Sequence, residues 1–202
     1  MAPSEANNPG TPTVEEIRRR VAEQVFGNLL VENSLRGMVV EKMVEMALAP
    51  DWRLCSGDRS GWDLDHRSGV RIEVKQSSLL QTWDPPAKPA APRFHIPASK
   101  GYFVGAKFVP EGGRKADLYV FAYHGEGDRK IANHWDPLQW LFFVALTTPL
   151  PETSSISLRA LKSIASGLSW AELSAAVETA RGRLSALRAH DRPADTSCRL
   201  QP

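Results

Sequence analysis

Cysteine is scarce in this chain: Cys55 and Cys198 are the only two, and they lie far apart. Neither belongs to a CxxC or CxxH pair, so neither a disulfide framework nor a structural zinc site is implied. Long apolar runs are missing too. "WLFFVAL" is among the longest, and it falls far short of a membrane span. The opening "MAPSEANNPGTPT" has neither the basic nor the apolar region of a secretory signal. The expected location is therefore the cytoplasm, with no membrane partner. Net charge is only +2, too little by itself to announce a nucleic-acid partner. His66, His95, His124, His134 and His190 fall into no H-x-x-x-H or other zinc spacing. Ser60 and Ser68 lack a GxSxG setting, and no GxxxxGK[ST] loop is present. A serine hydrolase and a nucleotide-driven motor are both disfavoured.

What is present suits one soluble domain with a substantial core: 202 residues, 42% hydrophobic and 24% charged. Residues 1–12 and 191–202 read as tails around a single domain at 13–190. Thr13 and Glu16 form a capping-box pattern opening a helix to about Phe26. A second helix runs from Asn33 or Ser34 to just before Pro50, with Leu35, Val39, Met43 and Met46 as its apolar stripe. Two short strands flank Arg67–Gly69. Pro85, Pro86, Pro89, Pro92 and Pro97 then bar regular helix or central strand, within an insertion at about 84–115. Short strands are expected in "GYFVGAKFV". "DLYVFAYH" and "QWLFFVAL" are apolar on both faces, which suits strands covered on both sides. "SLRALKSIA" predicts a short helix. A second capping box, Ser169 with Glu172, opens a helix to about His190. Its stripe of Leu173, Val177, Ala180, Leu184 and Leu187 would serve a coiled-coil seam or, more simply, packing on the protein's own sheet. This element order predicts a three-layer α/β or α+β domain, a central mixed sheet flanked by helices.

Charge is unevenly placed. Between Asp84 and Lys115 there are six cations, Lys88, Arg93, Lys100, Lys107, Arg114 and Lys115, against Asp84 and Glu111. A solvated loop and a phosphate-contacting surface explain that excess equally well. The stretch "GWDLDHRSGVRIEVKQSS" is more specific, because Glu73 and Lys75 sit in an apolar run. Side chains alternate along a strand, so these two share a face. A three-residue loop at Arg67–Ser68–Gly69, with Gly69 left-handed, sets Asp63 opposite Glu73 and Asp65 opposite Arg71. Directly paired Cβ atoms lie about 4.5–5.5 Å apart, where two carboxylates repel unless a cation lies between them. Oxygens of Asp63 and Glu73, with the Val74 carbonyl, suit Mg²⁺ or Mn²⁺. A lysine beside such a metal suits phosphodiester hydrolysis. The plainer account is a Glu73–Lys75 ion pair on a solvated face.

Asp63 followed by "IEVKQSS" resembles the PD-(D/E)xK motif of restriction-endonuclease-like nucleases. Trp62 stands where that motif has proline, and Asp65 is the fallback acid. The resemblance implies a mixed sheet flanked by helices, and a metal-supporting glutamate on the preceding helix. Glu41 in "RGMVVEKMVEMAL" matches it, with Gly37 and Glu45 on the same stripe. "GWDLD", "RIEVKQSS", "ADLYVFAYH", "QWLFFVAL" and "SISLRAL" resemble a bacterial branch of such presumed nucleases, over roughly Leu35 to Ala180. The expected activity is Mg²⁺-dependent hydrolysis of DNA. Asp63 and Glu73 would hold metal, Glu41 would support it, and Lys75 would assist the water or the transition state. Arg36, Lys88, Arg93, Lys100 and Lys107 are the expected phosphate contacts. An inactive nucleic-acid-binding domain of the same fold is the alternative. By resemblance alone a homodimer is a candidate; no residue speaks to a methyltransferase partner. Gln76 and Ser78 are weak phosphate contacts. Gln81 and Trp83 suit either base stacking or, more simply, the core, and Asp117 reads as a turn residue.

Overall fold

The computed structural model describes residues 11–55, 61–83, 91–104 and 106–190. Residues 1–10, Lys88, Cys198 and the whole 191–202 segment lie outside these. Two helices come first, α1 (Val14–Phe26) and α2 (Asn33–Leu48). They are followed by β1 (Trp52–Leu54), β2 (Leu64–His66) and β3 (Arg71–Ser78). The proline-rich stretch holds β4 (Arg93–His95), β5 (Tyr102–Val104) and β6 (Lys107–Val109). The two strongest apolar runs form β7 (Leu118–His124) and β8 (Trp140–Leu146), and β9 (Ser155–Ser157), α3 (Leu158–Leu161) and α4 (Trp170–His190) follow.

The main sheet has the order β1-β2-β3-β7-β8. β3 and β7 run parallel, while the other neighbours are antiparallel. A parallel pair needs a long crossover, usually a helix. Here residues 79–117 supply it, and Pro92 and Pro97 stand in it. Proline removes backbone donors and fixes φ, so this crossover is built from β4 and the β5–β6 hairpin instead. The part of the basic insertion around β4 therefore lies over one face of the sheet.

The protein is thus a mixed α/β domain, but its two faces differ. On one face Ile72, Val74, Leu118, Val120 and Phe142 pack against Val40, Val44 and Leu48 of α2 and Leu173 and Val177 of α4. On the other, Tyr119, Phe121 and Phe143 pack against Phe94, Ile96, Ile156 and Leu161. That second layer is the antiparallel β4–β9 ribbon with the single turn of α3. The expected helices on both faces are corrected accordingly. Alternation along β3 gives Ile72 and Val74 to the helical side and turns Glu73 and Lys75 to the ribbon side.

Both long helices show how packing revises a stripe read by hydropathy. In α2 the buried positions are Arg36, Val40, Met43, Val44 and Leu48, whereas Met46 is 65% exposed. Met43 is buried and Val39 packs on the core as expected, but Arg36, Val40, Val44 and Leu48 join them and Met46 does not. In α4, Leu173 and Val177 are fully buried and Leu187 is half exposed, so the helix packs on its own sheet. Ser169 and Glu172 form only half of the expected box: the Ser169 N–H and hydroxyl both donate to the Glu172 carboxylate, at 2.8 and 2.7 Å, while the Glu172 N–H donates to the Ser169 carbonyl. α1 buries none of its residues.

Candidate active site

The β2–β3 hairpin builds the site. Its loop has three residues: His66 N–H donates to Val70 O (2.9 Å), Gly69 N–H donates to His66 O (2.8 Å), and Gly69 has φ +81°. A Cβ on Gly69 would meet nothing within 4 Å. Gly69→Ala is therefore expected to cost about 1–2 kcal/mol through backbone conformation alone, read as a shift in the urea midpoint without a change of slope.

The loop sets Asp65 opposite Arg71 and Leu64 opposite Ile72. The ladder ends there, so the face-to-face pairing of Asp63 with Glu73 does not form. Asp63 donates its N–H to Ile72 O (2.8 Å) and accepts the Val74 N–H on Oδ2 (2.7 Å). Its carboxylate thus replaces a backbone acceptor at the β3 edge, and Val74 contributes a donor to the cluster. Asp65 points elsewhere: it is exposed and accepts from the Cys55 thiol at 3.1 Å.

Glu73 and Lys75 form an ion pair that is largely shielded from solvent, with 18% and 28% of their side chains exposed. Burial pushes the Glu73 carboxyl up to about 7; Asp63 and Glu41 add to the rise, and Lys75 opposes it. Burial also raises Asp63, against the Val74 N–H and Lys75. Glu41 rises through burial and Asp63, again against Lys75. Its Oε1 lies 4.0 Å from where a Cβ on Gly37 would be, so the space beside Gly37 is occupied by Glu41 itself. For Lys75, burial favours the neutral amine, but Glu73, Asp63 and Glu41 outweigh it, and the net shift is upward. Three carboxylates therefore share one ammonium group.

Glu73 and Lys75 line a cleft of about 180 Å³ with His95, Arg114, Lys115 and Tyr119. Tyr119 pairs with Glu73 across the parallel β3–β7 ladder. Burial, then Glu73, pushes its phenol up to about 12, so it stays protonated. Sequence reasoning missed Tyr119 because "DLYVFAYH" shows no polar face; only the parallel register brings it to the site. Arg114 is a fastener, donating to the carbonyls of Ile96, Pro151 and Thr153. Lys115 pairs with Glu111 at 2.8 Å.

The expected phosphate contacts divide. Lys100, Lys107 and Arg93 are exposed, and Arg93 donates to Ser155 Oγ at 2.9 Å. Lys88 lies outside the described residues. Arg36 is no surface cation: it is 1% exposed. Its Nε donates to Gln76 (2.7 Å), and Nη2 to Asn33 (2.8 Å) and Gln81 (3.0 Å). Burial lowers its pKa to about 10, Glu32 opposing. Gln76 and Gln81 are thus committed to clamping α2 onto the end of β3. Trp83, by contrast, is 57% exposed rather than in the core. Asp117 is a tie, accepting the Arg71 N–H (3.0 Å) and pairing with Arg188.

A buried serine–histidine contact also exists, Ser78 Oγ to His134 Nε2 at 2.9 Å. It is structural. His134 Nδ1 accepts the Val31 N–H (3.1 Å), so Nε2 carries the proton, and Ser78 donates to Leu80 O (2.8 Å). The imidazole is a donor to this hydroxyl and takes no proton from it.

Among the described residues no three His, Cys, Asp or Glu side chains converge as a ready-made metal site. The donor set nonetheless suits a hard cation: carboxylate oxygens, with the negative groups in excess. Val74 engages one oxygen of Asp63, and Lys75 one of Glu73. The second oxygen of each accepts no hydrogen bond among the described residues, which leaves it available to an ion. The chain matches no family model, and no curated protein matches it. Among the described residues, no helix is long and apolar enough to cross a membrane.

Proposed function

We propose that this protein is a Mg²⁺- or Mn²⁺-dependent deoxyribonuclease of restriction-endonuclease-like fold, hydrolysing phosphodiester bonds with water. One observation carries the reading: Glu41, Asp63 and Glu73 are all driven toward protonation, chiefly by burial, around a single lysine. Buried acids in excess of cations are costly unless a further positive charge joins them. Asp63 and Glu73 would hold that ion, with Glu41 behind them. When bound, the metal supplies Lewis acidity at the phosphate. Lys75 is charged at neutral pH, so it has no lone pair for general-base work. It steadies the negative charge that builds on the phosphate. Tyr119 lines the same cleft.

Supercoiled and linear DNA incubated with Mg²⁺ or Mn²⁺, against an EDTA control, tests the reading. Cation-dependent cleavage is expected; no cleavage of either substrate with either metal overturns it. Asp65→Asn is expected to keep the cleavage rate within about twofold of wild type, since an exposed side chain outside the cluster should contribute little. The ion pair between Lys75 and Glu73 favours a second reading, a nucleic-acid-binding protein without catalysis in which the two groups satisfy each other. That protein would bind DNA and cleave nothing with either metal. A homodimer remains part of the proposal through the resemblance alone.

A further inference from the structure

The cleft is walled by Gly101 and Gly113, the two ends of a lobe that carries the β5–β6 hairpin. The lobe is closed at its base by the Ser99–Gly113 bridge. It is seated beside the site by aromatic contacts. Tyr102 packs on Trp62 at 5.6 Å, and Arg71 lies over the Trp62 ring at 3.7 Å. Its outer part shows a different character. Phe108 is 48% exposed, yet its ring is held in place by Phe103 at 5.2 Å and by Gly101. A Cβ on Gly101 would lie 2.4 Å from Phe108 Cζ, so glycine is required for the ring to sit there. The lobe also carries exposed Lys107, which precedes Phe108 on β6 and so turns to the other face of the hairpin, and exposed Lys100 at its start; neither makes an ion pair among the described residues.

A fixed, half-exposed ring on a lobe that also carries exposed cations matches the chemistry of a strand whose bases are unpaired: a base stacks on the ring and the lysines meet phosphates. A duplex keeps its base faces stacked inside and offers none to Phe108. Cleft size agrees. At about 180 Å³ it is smaller than the roughly 300–1,000 Å³ of sites that enclose an organic ligand. It therefore takes a backbone phosphate and leaves the bases outside, where the lobe stands. We propose that the β5–β6 lobe is a stacking surface for unpaired bases, and that the substrate of the adjacent site is single-stranded DNA. The substrate assignment rests on the nuclease reading; the binding preference does not.

Fluorescence anisotropy in EDTA tests it, with a labelled oligothymidine and a blunt duplex of equal length. The single strand is expected to bind at least about tenfold more tightly than the duplex. Phe108→Ala should lose about tenfold on the single strand, the loss of one stacked base, and nothing on the duplex. Equal binding of the two DNAs, or unchanged single-strand binding by Phe108→Ala, overturns the proposal. Should Phe108→Ala melt early, Lys107→Ala takes its place. It should reduce the slope of log affinity against log salt by about 0.7 on the single strand, and an unchanged slope counts against the lobe. Because no cleavage is needed, absence of nuclease activity leaves the binding result readable, and failed binding leaves the metal-site reading standing.

Discussion

Lys75→Ala is expected to lower Mg²⁺-dependent cleavage by about a hundred- to a thousandfold, the scale of losing one preorganised charge at a reacting centre. DNA affinity measured in EDTA should stay within about threefold, because one contact among many phosphate contacts is lost. The asymmetry follows from where the ammonium group sits. Lys75 contacts Glu73, and its side chain is 28% exposed, at the inner wall of the cleft rather than on the lobe. Its charge is maintained by three carboxylates against the burial that would remove it. A group held cationic in this way is committed to electrostatic work. Its removal also leaves Glu41, Asp63 and Glu73 with no positive partner, so the variant should bind divalent cations at least as tightly as wild type. Retained metal and DNA binding with lost cleavage identifies a catalytic lysine. Cleavage unchanged in Lys75→Ala removes Lys75 from the mechanism.

Part of this site is legible in the residues alone, and the limits of legibility are physical. Gly69 after Arg67–Ser68 selects a three-residue loop, and the Asp65–Arg71 and Leu64–Ile72 pairs are those of that loop. Extending the ladder one step further fails at Asp63, whose carboxylate competes successfully for the Val74 N–H. A short acidic side chain at a strand end can replace a backbone acceptor, and no register rule anticipates that. The α2 stripe holds at Val39 and Met43 but misses Arg36 for a related reason. Hydropathy places Arg36 outward, but three amide side chains, the farthest 45 positions away in sequence, solvate it inside. The second layer of the domain was unreadable because β4 and β9 are three-residue strands that pair across some sixty residues. Neither has enough length to show a period. By contrast β7 and β8, apolar on both faces, announce themselves as strands covered on both sides, although β8 stands at the edge of the sheet.

Glu73→Gln should change how stability depends on pH, and the sign is set by the direction of the shift. The Glu73 carboxyl rises from 4.5 to about 7 in the folded protein, first through burial and then through Asp63. A raised acid is stabilising when protonated: its contribution is full below pH 4.5 and is lost as pH climbs through about 7. Over that window the loss amounts to about 3 kcal/mol. His134 works the other way. Burial, with Arg36 and His124, lowers it to about 3, so its contribution is present above 6.5 and is lost as pH falls. The two effects oppose each other between pH 4.5 and 6.5, and the wild-type curve alone does not separate them. The difference between variant and wild type removes His134, which is common to both, and reports Glu73 together with Asp63 beside it. In EDTA, urea denaturation should show Glu73→Gln gaining on wild type by about 3 kcal/mol between pH 4.5 and pH 8. Lys75 stays charged throughout that range, so the loss of its partner shifts the variant's curve without tilting it. Parallel curves would mean that Glu73 titrates as an ordinary solvated acid. Mg²⁺ or Mn²⁺ at pH 8 should then raise the wild-type midpoint and leave Glu73→Gln nearly unmoved, because a ligand stabilises only the folded state that holds it. The same burial that makes Glu73 costly without a partner ion makes it a ligand when one arrives.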